Sequence, residues 1–99
     1  MPYSQPNEFE WDEAKAAANL RKHGVSFEQA AQVFSDPKRL TVADESNDEE
    51  AREITFGQVE DRILAVVHTE RDGKIRIISA RNAERKEHWA YYQLFPRSE

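Results

Sequence analysis

The feature that most constrains this chain is a pair of apolar segments around Asp72-Gly73. Arg62 to Glu70 and Lys74 to Arg81 are rich in Ile, Val and Leu and flank two residues that tolerate positive φ. A two-residue turn there pairs residues whose numbers sum to a constant. Arg71 then faces Lys74, His68 faces Ile77, Val66 faces Ser79 and Leu64 faces Arg81. Cross-strand partners share a face. One face would carry Leu64, Val66, His68, Ile75, Ile77, Ser79 and Arg81. The other would carry Ile63, Ala65, Val67, Thr69, Arg71, Arg76, Ile78 and Ala80. Both faces are largely apolar, so both need cover. A chain of 99 residues has few helices to give. Part of one face is therefore expected to form a functional groove or to lie under a second chain.

The other elements have their own punctuation. Phe9-Glu10-Trp11 reads as a short first strand. Asp12 is a good N-cap for a helix over residues 13 to 23, and Gly24 stands where a helix-ending glycine belongs. Ser26-Phe27-Glu28-Gln29 has the form of a capping box. Phe27, Ala30, Ala31 and Phe34 then mark one buried helical face, with Pro37 as the stop. Leu40 to Val42 and Arg52 to Phe56 read as strands, and Gly57 as a bulge or turn. A last helix is expected from Asn82 to about Leu94, with Trp89 and Tyr92 as candidate core. The implied order is β-α-α-β-β-β-β-α. This is a small α+β domain with a mainly antiparallel sheet, two helices before it and one after. One domain spans residues 1–99, with 1–7 expected to be flexible and 44–50 forming an acidic loop.

Composition narrows the function. With no cysteine, disulfides, thiolate metal sites and a cysteine nucleophile are excluded. The longest uninterrupted apolar run, Ile63 to Val67, is far too short to span a membrane. The opening residues resemble no signal peptide, so a cytoplasmic protein is expected. His23, His68 and His88 are scattered and read as ordinary surface or capping residues. No metal or other cofactor is expected. No Gly-x-Ser-x-Gly element or glycine-rich phosphate loop is present.

The net charge of -5 argues at first against nucleic acid. Its distribution argues otherwise. Residues 44 to 50 hold five acids and no base, and the rest of the chain balances at 14 against 14. Between Arg62 and His88, seven bases outnumber four acids. Cations, Ser79, histidines and tyrosines suit an anionic substrate such as a phosphodiester. Lys22-His23 can cap a helix or face a groove. Arg81, with Ser79 beside it, can bind phosphate through its planar fork or form an ion pair. Thr69-Glu70-Arg71 fits turn polarity or substrate contact equally well. Glu87 shares a helix face with Tyr91 and can act as a base or hold an arginine.

Two longer motifs carry a family resemblance. The first is Phe9-Glu10-Trp11-Asp12, Lys15, Asn19, Lys22-His23-Gly24-Val25, Phe27 and Ala30. The second is Thr69-Glu70-Arg71 leading into Arg76-Ile77-Ile78-Ser79-Ala80-Arg81. Glu50, Arg52, Gly57, Glu84-Arg85, Glu87 and Tyr91 fit as well. Together they resemble the BrnT toxins over about residues 8 to 92. The resemblance implies a RelE-like α+β fold and a bacterial type II toxin–antitoxin system. It implies a ribonuclease. The expected reaction, given the candidate cations, is metal-independent RNA cleavage that inhibits translation. The implied partner is a BrnA-like antitoxin, which contacts DNA through a ribbon-helix-helix region; the toxin meets DNA only through it. A dimer or a heterotetramer with the antitoxin is the assembly to look for. Lys22, His23, Arg71, Ser79, Arg81 and Tyr91 are the candidate catalytic residues. Arg52, Arg76 and Arg85 are the candidate RNA contacts. The alternative function is a catalytically weak subunit that serves as corepressor with a DNA-binding antitoxin.

Overall fold

The computed structural model describes residues 8–45 and 51–94. The N-terminal heptapeptide and most of the acidic run, at 46–50, lie outside them. Five strands form one sheet in the order β1-β5-β4-β3-β2. The strands are β1 (Phe9–Glu10), β2 (Leu40–Asp44), β3 (Arg52–Val59), β4 (Arg62–Arg71) and β5 (Lys74–Asn82). Neighbours are antiparallel except β1, which runs parallel to β5. The helices are α1 (Glu13–His23), α2 (Phe27–Ala31) and α3 (Arg85–Leu94).

Local chemistry accounts for most boundaries. The Asp12 carboxylate accepts the backbone N–H groups of Ala14 and Lys15 at 2.8 and 3.1 Å, which caps α1. Those bonds hold the Asp12 carboxyl below its ordinary pKa. Gly24 takes φ +71°, a left-handed conformation that ends α1 without a Cβ penalty. The Ser26/Gln29 capping box is present in both directions. Asp72 and Gly73 both have positive φ, 55° and 77°, which the tight hairpin between β4 and β5 requires. The strand ends shift by one to three residues from the sequence reading, so that Asp44, expected in the acidic loop, ends β2. Three further features differ. The second helix is α-helical only to Ala31 and continues as a 3-10 turn, Gln32–Ser35, before Pro37. The last helix starts at Arg85 rather than Asn82, because β5 extends to Asn82. Gly57 makes no turn. It sits inside β3 where a Cβ would lie 2.7 Å from Val33 Cγ1, so glycine lets the 3-10 segment close on the sheet.

The hairpin register is where pattern and structure part most usefully. Arg71↔Lys74 and His68↔Ile77 pair as expected, but a bulge follows. Val67 then faces Ser79, Val66 faces Ala80 and Ala65 faces Arg81. One extra residue in β5 moves everything beyond it to the opposite face. Ala80 thus joins Ile77, Leu64 and Val66 under α1 and α2, in the main core with Val25, Phe27, Val33 and Phe34. Ser79 and Arg81 leave that face for the other one. There they share a surface with Ala65, Val67, Thr69, Arg71 and Arg76. This corrects the sequence-based assignment of both residues.

The second face is only partly covered. Tyr91 of α3 is 2% exposed and packs with Phe56, Ile63 and Ala65, joined by Ile54, Ala83 and Tyr92. Along the same face, toward the hairpin tip, Val67, Thr69, Ser79, Arg76 and Arg52 are only half-buried. The expectation of an incompletely covered sheet therefore fits the described residues.

The open edge of β5 is handled by a side chain. β1 pairs only with Ile75 and Arg76. Farther down, Asn19 of α1 takes over: its Oδ1 accepts the Ala80 N–H at 3.1 Å and its Nδ2 donates to the Ala80 carbonyl at 2.8 Å. Nδ2 also donates to the Val25 carbonyl at 3.0 Å, tying the α1–α2 junction to the strand. Asn19 is 7% exposed, so these bonds form away from water.

Candidate functional site

The half-open face is rich in arginine, with an acid at each of the inner ones: Asp44 opposite Arg52, Glu10 opposite Arg76 and Glu87 on Arg81. Arg52 sits next to Glu53, whose partner on β4 is His68, so Arg52 lies at the level of Thr69. Arg76 flanks Thr69 on the other side. The row Arg52–Thr69–Arg76 thus spans two interstrand spacings, roughly 10 Å, with a threonine at its centre. The Thr69 hydroxyl donates to the Ala51 carbonyl at 2.8 Å. Ser79 lies in the next row of this face and Arg81 in a later one. Arg71 and Lys74 sit at the hairpin tip, and seven residues of strand put Lys74 roughly 20 Å from Arg81. One phosphate cannot touch both Arg71 and Arg81. The face spreads its cations along the strands, with Arg81 at one end and Arg71 at the other.

Arg81 is held in place by α3. Its Nη1 and Nη2 donate to Glu87 Oε1 and Oε2 at 2.8 and 3.0 Å. Nη1 also donates to the Asn82 carbonyl at 3.3 Å. Glu87 Oε1 accepts the Glu84 N–H at 2.7 Å as well. The Arg81 bonds chiefly hold the Glu87 carboxyl below its usual range, and they raise the guanidinium in turn. Of the five guanidinium N–H groups, the Nε–H and one Nη2–H remain without a partner among the described residues. That pair is the other edge of the fork, the edge suited to a second anion. Both readings of Arg81 therefore have a physical basis: an ion pair on one edge and a vacant donor edge beside it.

Lys22 and His23 occupy the last turn of α1. With Lys15, Ala18, Asn19, Ile78 and Ser79 they line a hollow of about 230 Å³ at the edge of β5. The structure thus brings Lys22, His23 and Ser79 together. It also puts Ser79 on the face that carries Arg76 and Arg81. Lys15 stands in the family motif but not among the candidate site residues, although its i, i+3, i+4, i+7 spacing with Ala18, Asn19 and Lys22 marks one helix face. Arg76 has Glu10 as a neighbour, 3.6 Å away.

Two candidates lie elsewhere. Tyr91 is part of the small second core. Its hydroxyl donates to Asp36 Oδ2 at 2.5 Å. Burial, then that bond, raises the phenol above its ordinary range, which keeps the proton on Tyr91. Asp36 also accepts the Gln58 and Lys38 N–H groups at 2.7 and 2.8 Å. Burial alone would raise its carboxyl, but the donors from Tyr91, Gln58 and Lys38 outweigh that and lower it. Tyr91 is a latch between α3 and the β2–β3 region, not a side chain on the open face. Arg85 points away from the sheet, beside an exposed Trp89. The core candidates of α3 are reordered accordingly: Trp89 is 66% exposed, while Tyr91 is buried.

A polar network on the opposite face escaped the sequence reading. His68 Nε2 and Thr55 Oγ1 share a hydrogen bond at 2.7 Å, and Thr55 Oγ1 shares another with Thr41 Oγ1 at 2.8 Å. His68 is 5% exposed, with the Phe34 ring set edge-on at 4.9 Å. Burial lowers its pKa to about 4. In the unfolded chain an ordinary histidine titrates near 6.5. Between those values the unfolded state binds more protons, so stability falls as pH drops from 6.5 toward 4. The expected loss is about 2–3 kcal/mol, allowing for some solvent screening. Urea unfolding at pH 7 and pH 4.5 should show it, and His68→Gln should lose less over the same interval. Parallel curves for the two proteins would contradict this role.

Residues 11–87 match the model of the ribonuclease toxin BrnT of type II toxin–antitoxin systems. The chain belongs to the BrnT family. Its fold is similar to that of the Brucella abortus ribonuclease toxin BrnT, known from a 1.1 Å crystal structure. That match has a TM-score of 0.59 and 23% identity, covering 79% of this chain and 97% of the other. No curated protein matches the sequence. As a BrnT toxin, the chain comes from a system that implies an antitoxin partner. No helix among its described residues is long and apolar enough to cross a membrane.

Proposed function

We propose that this BrnT toxin cleaves RNA without a metal, on the half-open sheet face, as a RelE-like enzyme that inhibits translation in the cytoplasm. A BrnA-like antitoxin would neutralise it. The observation that carries this reading is the shared face of Arg52, Arg76, Ser79 and Arg81, with Lys22 and His23 reaching its edge beside Ser79. The 2′-hydroxyl oxygen attacks the adjacent phosphorus while its proton passes to a base, for which His23 is the candidate. The P–O5′ bond breaks and the leaving oxygen takes up a proton. The products are a 2′,3′-cyclic phosphate and a 5′-hydroxyl end. Negative charge grows on the non-bridging oxygens in between. The vacant edge of Arg81 supplies two parallel donors for them, and Lys22 adds a point charge. Ser79 orients the phosphate. Glu87 serves as the positioning residue that fixes Arg81, consistent with the two bonds between them.

The cations of the site supply the charge that a metal would otherwise provide. Purified protein should therefore cleave single-stranded RNA as well in excess EDTA as in magnesium. A 2′-deoxy substitution at the cut position should block that cut. Cleavage that needs magnesium, or that leaves 5′-phosphate ends, would contradict the mechanism. Absence of cleavage under all conditions would favour the corepressor reading.

A further inference from the structure

Trp89 is the most exposed large apolar side chain among the described residues, at 66%. Two residues along a helix correspond to about 200° of rotation, so Trp89 points away from the sheet while Tyr91 points into it. Arg85 and Lys86 precede Trp89 by four and three residues, which puts them on its own flank. With Glu84 they border an open hollow of about 630 Å³ against the indole. A solvent-facing indole between two cations has no structural role in the fold described above. α3 also lies over the same sheet face as the cations of the proposed reaction centre.

We propose that Trp89 is a stacking platform for an unpaired RNA base, with Arg85 and Lys86 contacting the adjoining phosphates. The proposal rests on the reading that this chain acts on RNA. One observation and one general rule favour a nucleic acid over a protein at this place. Arg85 and Lys86 flank the exposed indole directly, which sets positive charge for phosphates beside a stacking face, whereas the centre of a protein interface is depleted of charge. Aromatic side chains set in positive surface are the usual means of holding single strands, because every base has a face to stack. The platform would grip RNA outside the reaction centre and extend the track of phosphates from the sheet over α3.

The probe is a fluorescein-labelled oligo(2′-O-methyluridine), which has no free 2′-hydroxyl to attack. Its affinity is read by fluorescence anisotropy, with circular dichroism confirming that each variant is folded. Trp89→Ala should bind about 5- to 150-fold more weakly, the range of one lost base stack. Trp89→Phe should keep most of the affinity. Trp89→Lys should stay weak although it adds a charge. Single-stranded competitor should displace the probe far better than a duplex of the same length. Unchanged affinity in Trp89→Ala, restored affinity in Trp89→Lys, equal competition by duplex, or no binding by the wild-type chain would overturn the platform. So would an unaltered affinity in a Trp89→Ala protein that no longer retains its antitoxin, which would make this face a protein interface. Failure of the platform is separable from failure of the ribonuclease reading. RNA cleavage with no Trp89 effect defeats only the first, and Trp89-dependent binding by a chain that cuts nothing defeats only the second.

Discussion

Arg81→Ala should slow RNA cleavage about 30- to 1000-fold under single-turnover conditions, the loss expected from removing one transition-state donor pair worth roughly 2–4 kcal/mol. The cost in stability should be far smaller, about 1 kcal/mol or less, because the Arg81–Glu87 pair is partly exposed. Arg81→Lys should recover little of the rate. A lysine offers one ammonium and cannot serve a carboxylate on one edge and a phosphate on the other. Glu87→Gln should be intermediate: the arginine stays but loses the charged partner that aims it. A distinguishing sign of positioning is that Glu87→Gln should lower kcat with little change in KM. An Arg81→Ala protein that cleaves within threefold of wild type would remove Arg81 from the site.

Asn19→Ala should produce the largest loss of stability, about 3–5 kcal/mol. It strips partners from the Ala80 N–H, the Ala80 carbonyl and the Val25 carbonyl at once. Each buried backbone group left unpaired costs about 1–3 kcal/mol, and the penalties overlap. A small domain has only about 5–15 kcal/mol in all, so the variant should approach the unfolding threshold near body temperature. Asn19→Asp should also be damaging, since a carboxylate can accept the Ala80 N–H but cannot donate to either carbonyl. Urea unfolding measures both. A loss below 1 kcal/mol for Asn19→Ala would mean that α1 does not guard the β5 edge in the way described.

The helix starts and stops were legible because single residues decide them. Asp12, Gly24, Ser26 with Gln29, and Asp72-Gly73 each act through local backbone chemistry that no tertiary contact overrides. The bulge in β5 was not legible. Ile77-Ile78-Ser79-Ala80 offers no break in pattern to show where an extra residue enters, and one residue is enough to exchange the two faces. That exchange separated Ser79 and Arg81 from Arg71 and Arg76 on paper, while in the structure all four share a face. Gly57 misled for a related reason. Its glycine serves a close approach by Val33, which lies 24 positions earlier. On α3, Trp89, Tyr91 and Tyr92 offer competing aromatic stripes. Only the Asp36 acceptor and the Phe56–Ile63–Ala65 floor select Tyr91 for burial. Asn19 stood inside the family motif, but nothing in the local sequence says that its amide pairs with a strand 61 residues away.

The central claim is that RNA lies on the sheet face opposite α1 and α2. Amide chemical-shift mapping with a short 2′-O-methyl oligonucleotide tests it most directly. The account predicts that the strongest perturbations fall on Arg52, Thr69, Arg76, Ser79 and Arg81, with Lys22 and His23 at the edge. Perturbations centred instead on Thr41, Thr55 and His68, with Ser79 and Arg81 unmoved, would contradict it.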